Sequence, residues 1–250
     1  MRALSRLRVL DDLEASVLAA LDPLRTQGWS LRVPGTEAYA LGEAVAIHQR
    51  LGEQIDDWCI TGPPPDAEAL LRALVAERGH DSGSVPAGAL DPLRADLGVT
   101  EVEPWDFRWT DHPPELRPHL APCWLTPSED PEVQDLLDVA FPSAALQTGA
   151  PEVRRWAGVR DGTGRLVACA ADATSAPTLG FLSSITSAPD VRRAGHGAAV
   201  TAWAAAELVR EHGRAGLWVN HPNEVARRLY DALGFHDDHW MVWLSVDPEL

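Results

Sequence analysis

The chain contains no lysine; all 21 of its basic side chains are arginine. A Walker-type phosphate loop and a Schiff-base enzyme both need a lysine amine, so both are excluded. Cysteine is scarce as well. Cys59, Cys123 and Cys169 lie far apart, and no two have Cys-x-x-Cys spacing. That pattern excludes a disulfide scaffold and a cysteine zinc site, and reads as buried thiols in a reducing compartment. Positive charge is outnumbered, with 37 acidic residues against 21 basic ones and a net charge of −16. A nucleic-acid-binding surface needs clustered positive charge, so no nucleic-acid partner is expected. The acidic surplus suits a cationic substrate such as an amine, or serves solubility alone. No apolar run is long enough to span a membrane. Met1–Arg8 is followed by Asp11 and Asp12 where a signal peptide would have its apolar core. A cytoplasmic protein with no membrane partner is expected.

What is present is ordinary in bulk: 250 residues, 45% apolar and 23% charged, enough for one large domain or two small ones. Apolar residues at Leu10, Leu13, Val17, Leu18 and Leu21 predict a helix over 9–24. Asp57–Thr61 reads as a strand stopped by Gly62-Pro63-Pro64-Pro65. Asp66 is the expected cap of a helix running to Arg78 and ended by Gly79. Residues 80–88 read as a surface loop. Its His80-Asp81-Ser82 imitates a hydrolytic triad, but triads are assembled in space rather than along the chain. Val102–Thr110 alternates Trp105, Phe107 and Trp109 and reads as a strand; those tryptophans suit a core, a domain interface or an acceptor pocket alike. The proline-rich 111–118 is the candidate linker, flanked by His112 and His119, which read as solvated. The expected domains are therefore 1–118 and 119–250.

The second half has clearer periodicity. Strands are expected at Cys123–Thr126, Arg155–Arg160, Arg165–Ala170, Thr178–Ser187, Leu217–Val219 and Trp240–Val246. A helix follows Pro127, a second runs to His212, and a third spans Glu224–Leu233. The order β-α-β-β-β-α-β-α-β is that of a mixed α/β domain. Two segments in it carry chemistry. In Pro189–Ala198, Arg192, Gly195 and Gly197 stand where a strand turns into a helix. Glycines let a backbone approach a ligand there, and the exposed N–H groups of a helix start favour an anion. Downstream, Asn223 to Phe235 reads Asn-Glu-Val-Ala-Arg-Arg-Leu-Tyr-Asp-Ala-Leu-Gly-Phe.

Arg192-x-x-Gly195-x-Gly197 with Asn223, Tyr230 and Leu233-Gly234-Phe235 resembles the GNAT superfamily of acyl-CoA-dependent N-acetyltransferases over about half the chain, roughly residues 120–250. The resemblance implies a central, mostly antiparallel, splayed sheet flanked by helices, preceded here by a smaller α/β domain. It implies acetyl-CoA as co-substrate and no metal. Ile185, Thr186 and Ser187 would offer main-chain groups to the pantetheine arm. The N–H groups from Arg193 through Ala194, Gly195, His196, Gly197 and Ala198 would hold the pyrophosphate, with charge added by Arg192 and Arg193. Asn223 would hydrogen-bond the cofactor, Tyr230 would protonate the leaving thiolate, and an N–H near Ile185 would stabilise the oxyanion. The chain departs from the pattern in two places. His196 stands where an apolar residue is usual. Gly216–Asn220 has no carboxylate to act as base, which leaves Asp172 or a water; an exposed turn is the other reading of Asp172. His236 and His239 would point to opposite faces of a strand and hold no metal. The first half resembles, in outline, a degenerate second GNAT half without a cofactor site; an unrelated substrate lid is the alternative. The implied activity is direct acetyl transfer to a small-molecule amine. A protein or peptide amine, or a non-catalytic acyl-CoA sensor, is the alternative, and a homodimer is an open option.

Overall fold

The computed structural model describes residues 7–51, 55–79, 81–115 and 120–247. The first half contributes β1 (Arg8–Leu10), α1 (Asp12–Ala20), α2 (Pro23–Ser30), β2 (Ala38–Leu41), β3 (Ala44–Leu51), β4 (Ile55–Thr61), α3 (Pro64–Arg78), β5 (Ser82–Pro86), α4 (Leu90–Asp96) and β6 (Val99–Thr110). The second contributes β7 (Cys123–Trp124), α5 (Asp130–Ala140), β8 (Arg155–Arg160), β9 (Leu166–Asp172), β10 (Gly180–Ser187), α6 (His196–His212), β11 (Ala215–Asn220), α7 (Glu224–Ala232) and β12 (His236–Val246). The second half follows the expected order element by element.

The first half departs from its reading in four places. The stretch 9–24, expected as one helix, is the end of strand β1 followed by α1 and the start of α2. Asp22 Oδ1 accepts the N–H of Arg25 at 3.0 Å and Pro23 takes the first helical position, which together start a new helix. Strands β2 and β3 fill a stretch for which no element was expected. Residues 82–86 form a strand rather than a surface loop, with Gly83, Ser84 and Val85 buried; Ser-Gly-Ser has no apolar alternation, and pairing with β12 makes it a strand. Asp66 does not cap its helix, which begins at Pro64; its carboxylate instead accepts the N–H of Glu43 at 2.9 Å. His80, His119 and residues 116–118 of the expected linker lie outside the described residues.

All twelve strands form one mixed sheet in the order β1-β2-β3-β4-β5-β12-β6-β11-β10-β9-β8-β7. Its centre is an exchange of strands. β6 comes from the first half of the sequence but lies between β11 and β12, pairing Trp105–Thr110 with Asn220–Ala215 on one edge. β12, the last strand of the chain, pairs with β5 of the first half on its other edge. The halves also share a motif. β4 and β5 are parallel with α3 between them, as β10 and β11 are parallel with α6 between them. On one face of the second half, α5, α6 and α7 close a core that includes Val133, Val200, Leu208, Leu217 and Tyr230. On the opposite face, Leu24 of α2 packs with Cys59, Phe107, Leu146, Phe181 and Met241.

Candidate active site

The site starts where β10 and β11 part. Their parallel pairing covers only Gly180–Leu182 against Ala215–Leu217. Beyond it β10 carries one residue more than β9 between Ser183 and Thr186, and Ser184 sits at φ 49°. Such a bulge takes a main-chain group out of the ladder, and left-handed backbone in a non-glycine residue is strained. The Ser184 hydroxyl holds the bulge: it donates to Leu146 O at 2.8 Å and accepts from Leu146 N at 3.2 Å. These bonds pin the segment between α5 and β8 over the parting strands. Nothing in the sequence marks Ser184, because a bulge has no compositional signal. After it, Ile185 and Ser187 are half-buried and Thr186 is buried.

From Ser187 the chain turns through Pro189–Val191 into α6. Arg193 (φ 68°) and Gly195 (φ 90°) take left-handed backbone, and no side chain caps the helix. The N–H groups of His196, Gly197 and Ala198 precede the first intrahelical bond, from Ala199 N to Gly195 O at 2.9 Å. A β-carbon at Gly197 would lie 2.7 Å from Ser187 Oγ, so the helix start and the strand end meet closely here, and a larger residue would force the Ser187 hydroxyl to turn away. Arg192, Arg193 and Ala194 are exposed beside this helix start, and the Ala194 N–H reaches Val191 O at 3.4 Å. The matching turn of the first half, between β4 and α3, is Gly62-Pro63-Pro64-Pro65. Its prolines have no N–H to offer an anion, and a β-carbon at Gly62 would lie 2.7 Å from Ala44 Cα.

The facing wall is α7. Asn223 caps it, its Oδ1 accepting the Ala226 N–H at 3.2 Å, which leaves the amide Nδ2 to donate elsewhere. Tyr230 is buried beside Phe235, ring centres 5.8 Å apart, and burial pushes its phenol above the ordinary value. The outer flank of α7 rests on β6. Arg108 Nη1 donates to Asp231, and Asp106 pairs with Arg227 Nε at 2.8 Å and lies in hydrogen-bond contact with His221 Nδ1 at 2.9 Å. On the other face, Trp218 packs edge-on to Phe181 and to Trp105, with centroids 4.9 and 5.9 Å apart.

Three expectations about side chains are corrected. Asp172 is neither on an exposed turn nor free to act as a base: it is fully buried on β9 and accepts Arg155 Nε at 2.9 Å and Thr174 N at 3.1 Å. His236 and His239 do not point to opposite faces. A bulge between them sets them against Trp109 and Phe107, which share a face. Cys59 and Cys169 are buried, and burial pushes the Cys169 thiol to about 12, but Cys123 is exposed. Among the described residues, no group of three or more His, Cys, Asp or Glu is placed to hold a metal ion.

Residues 157–244 match the FR47-like protein family. No curated protein sequence matches the chain. Among solved structures, the chain is similar to a GCN5-related N-acetyltransferase from Kribbella flavida, with 18% identity and TM-score 0.60 over 93% of this chain and 95% of that one. It is similar to a GCN5-related N-acetyltransferase from Sphaerobacter thermophilus, with 16% identity and TM-score 0.60 over 98% and 96%. A Drosophila protein gives 15% identity and TM-score 0.66 over 98% and 100%. At such identities the likeness is one of fold.

Proposed function

From a fold shared with GCN5-related N-acetyltransferases, we propose that the chain belongs to the GNAT superfamily and is an acetyl-CoA-dependent N-acetyltransferase acting on the amine of a small molecule. One observation supports this above the rest: parted strands, a bulge and an uncapped helix start follow one another in a single run of chain, from Gly180 to Ala198. The first half repeats the β-α-β frame but fills the same turn with proline, so the cradle is a property of these residues and not of the frame.

The residues fit the cofactor. The turn through Gly195 (φ 90°) leaves the N–H groups of His196, Gly197 and Ala198 before the first intrahelical bond to meet a phosphate, and the helix dipole favours its charge. Acetyl-CoA supplies an acyl thioester when bound. The chain's part is placement: β10 main-chain groups orient the pantetheine arm, and the Asn223 Nδ2 donates to it. The N–H freed near Ile185 donates to the carbonyl oxygen as charge develops there, a contribution of about 3 kcal/mol for one donor of this kind. The acceptor nitrogen attacks the thioester carbon, the C–N bond forms and the C–S bond breaks. The buried Tyr230 phenol holds its proton and donates a hydrogen bond to the departing sulfur. With Asp172 locked to Arg155 and no carboxylate on β11, the proton lost by the amine passes to water. Among the described residues no helix is long and apolar enough to cross a membrane; a cytoplasmic location is part of this proposal.

Calorimetric titration with acetyl-CoA tests the reading. The native protein is expected to bind it, and a Gly195→Glu, Gly197→Glu double variant is expected to lose that binding. A native protein that shows no binding overturns the proposal.

A further inference from the structure

A cavity of about 320 Å³ opens on the first half, and the reaction proposed above does not use it. One row of the sheet runs beneath it. Arg8 of β1 pairs with Ala40 of β2, Ala40 with Val45 of β3, and Val45 with Thr61 of β4. Residues paired across strands share a face, so these four side chains stand in line at about 5 Å per strand. The middle two are small and apolar. Ala40 and Val45 line the cavity, and Leu18 of α1 and Pro63 complete its apolar surface.

The two ends of the row are charged, and only one is neutralised. Arg8 Nη1 pairs with Glu14 at 2.9 Å. Arg25 of α2 lines the cavity at the other end. Its Nε donates to the Thr61 hydroxyl at 2.6 Å and its Nη2 to the main-chain carbonyl of Glu43 at 3.0 Å. Both acceptors are neutral, and among the described residues this half-buried guanidinium forms no ion pair. They fix it in place and leave Nη1, with two N–H groups, for an outside acceptor. Glu43 follows the turn at Gly42 (φ 60°) and also lines the cavity. Its carboxylate forms no ion pair among the described residues either, because Arg25 holds the carbonyl of Glu43 and not its side chain. One cation and one anion therefore face the same cavity without being paired to each other.

We propose that this cavity binds a small zwitterion, an α-amino acid with an aliphatic side chain. Its carboxylate accepts from Arg25 Nη1, its ammonium pairs with Glu43, and its side chain lies on Ala40 and Val45 against Leu18. A simple anion would meet Glu43 and a net charge of −16, and a simple cation would meet Arg25. A zwitterion answers both charges and adds none. The size agrees, since ligand cavities start at roughly 300 Å³. So does the reach: from the strand of Thr61 to the strand of Ala40 is two steps, about 10 Å, which leucine spans together with its contacts. β4 lies four strand steps from β11, about 19 Å, so this ligand is not the acceptor and the inference is independent of the acetyltransferase reading.

The test is calorimetric titration of the full chain, without acetyl-CoA, with L-leucine, 4-methylpentanoate, 3-methylbutylamine and glycine. The last three lack the ammonium, the carboxylate and the aliphatic chain in turn. The native protein is expected to bind L-leucine with a Kd of about 1 mM or tighter, and each of the others about tenfold more weakly or worse. Arg25→Gln is expected to weaken L-leucine about tenfold. Glu43→Gln leaves the main-chain bonds of Glu43 to Arg25 and Asp66 in place, so its fold is expected to hold. In that variant L-leucine and 4-methylpentanoate are expected to bind within about threefold of each other, a loss of preference that a structural role alone does not produce. If Arg25→Gln fails to fold, Glu43→Gln decides. No binding of L-leucine, equal binding of 4-methylpentanoate to the native protein, L-leucine affinity unmoved in folded Arg25→Gln, or a preference kept in Glu43→Gln overturns the proposal.

Discussion

Arg108 Nη1 donates to Asp231 Oδ1 at 2.7 Å, and this bond ties the first half of the chain to the helix that carries Tyr230. Arg108 is fully buried on β6, and its Nη2 lies 3.0 Å from Asp237 as a second ion pair. Two residues earlier on the same face of the strand, Asp106 holds Arg227 and His221. The outer flank of α7 is thus fixed by charges supplied from a strand of the other half. Removing Arg108 leaves Asp231 and Asp237, each about half exposed, to water and leaves Asp106 with Arg227, so the cost is put at about 1–3 kcal/mol. Arg108→Ala is expected to lower the free energy of unfolding by that order in urea. A change under about 1 kcal/mol would mean that the cluster is solvated and does not hold α7.

Tyr230 makes a prediction of a different kind. A phenol raised by burial does not ionise at neutral pH, so it acts as a hydrogen-bond donor to sulfur. Tyr230→Phe removes that donor and little volume. The expected result is a kcat lower by roughly ten- to a hundredfold, with acetyl-CoA affinity nearly unchanged, because the interaction belongs to the transition state. Full activity in the variant removes Tyr230 from the mechanism.

The turn into α6 and the helix α7 were legible in the sequence because each rests on local chemistry. Gly195 is needed by left-handed backbone (φ 90°) that no other residue accepts easily, and Asn223 and Gly234 mark the two ends of a short helix. The first half was harder for physical reasons. Ser82–Pro86 is a strand because β4 pairs with one edge and β12, some 150 residues later in the chain, pairs with the other. The β6 exchange is likewise invisible, since Trp105, Phe107 and Trp109 alternate in the same way whichever partner β6 takes. Asp172 misled because a strand-end aspartate looks solvated until Arg155 is placed against it. The bulge defeated the period-two argument for His236 and His239, since one added residue reverses a face.

Ser184 is the position at which the sequence reading had no purchase and the structure is specific. Its hydroxyl makes two bonds to Leu146 and keeps a non-glycine residue at positive φ. Ser184→Ala is expected to destabilise the fold by about 1–3 kcal/mol in thermal or urea unfolding, two hydrogen bonds at ordinary net values. It is also expected to weaken acetyl-CoA binding several-fold in the calorimeter, because the bulge then relaxes into the cofactor's path. Lost stability with unchanged affinity would assign the bulge to folding alone.

The last prediction concerns acid. Glu129 Oε2 accepts the Thr126 N–H at 2.8 Å, and its other oxygen accepts Arg160 Nη2 at 2.7 Å. Those contacts, the backbone bond first, hold its carboxyl at about 2 against an ordinary 4.5. A carboxylate depressed in the folded state adds stability that is present above its unfolded value and lost as pH falls toward its folded value. The window is therefore from about 4.5 down to about 2. The site is near the surface, so solvent screening keeps the effect small. Glu129→Gln preserves the shape of the cap and removes the charge facing Arg160. The stability gap between native protein and variant is expected to be largest at pH 7 and to shrink from about pH 4.5 down to about pH 2 in urea unfolding. Other depressed carboxylates, such as Asp56 and Asp190, tilt both proteins alike and cancel in the difference. A gap that stays constant or widens as the pH falls would show that the Arg160 contact does not stabilise this helix start.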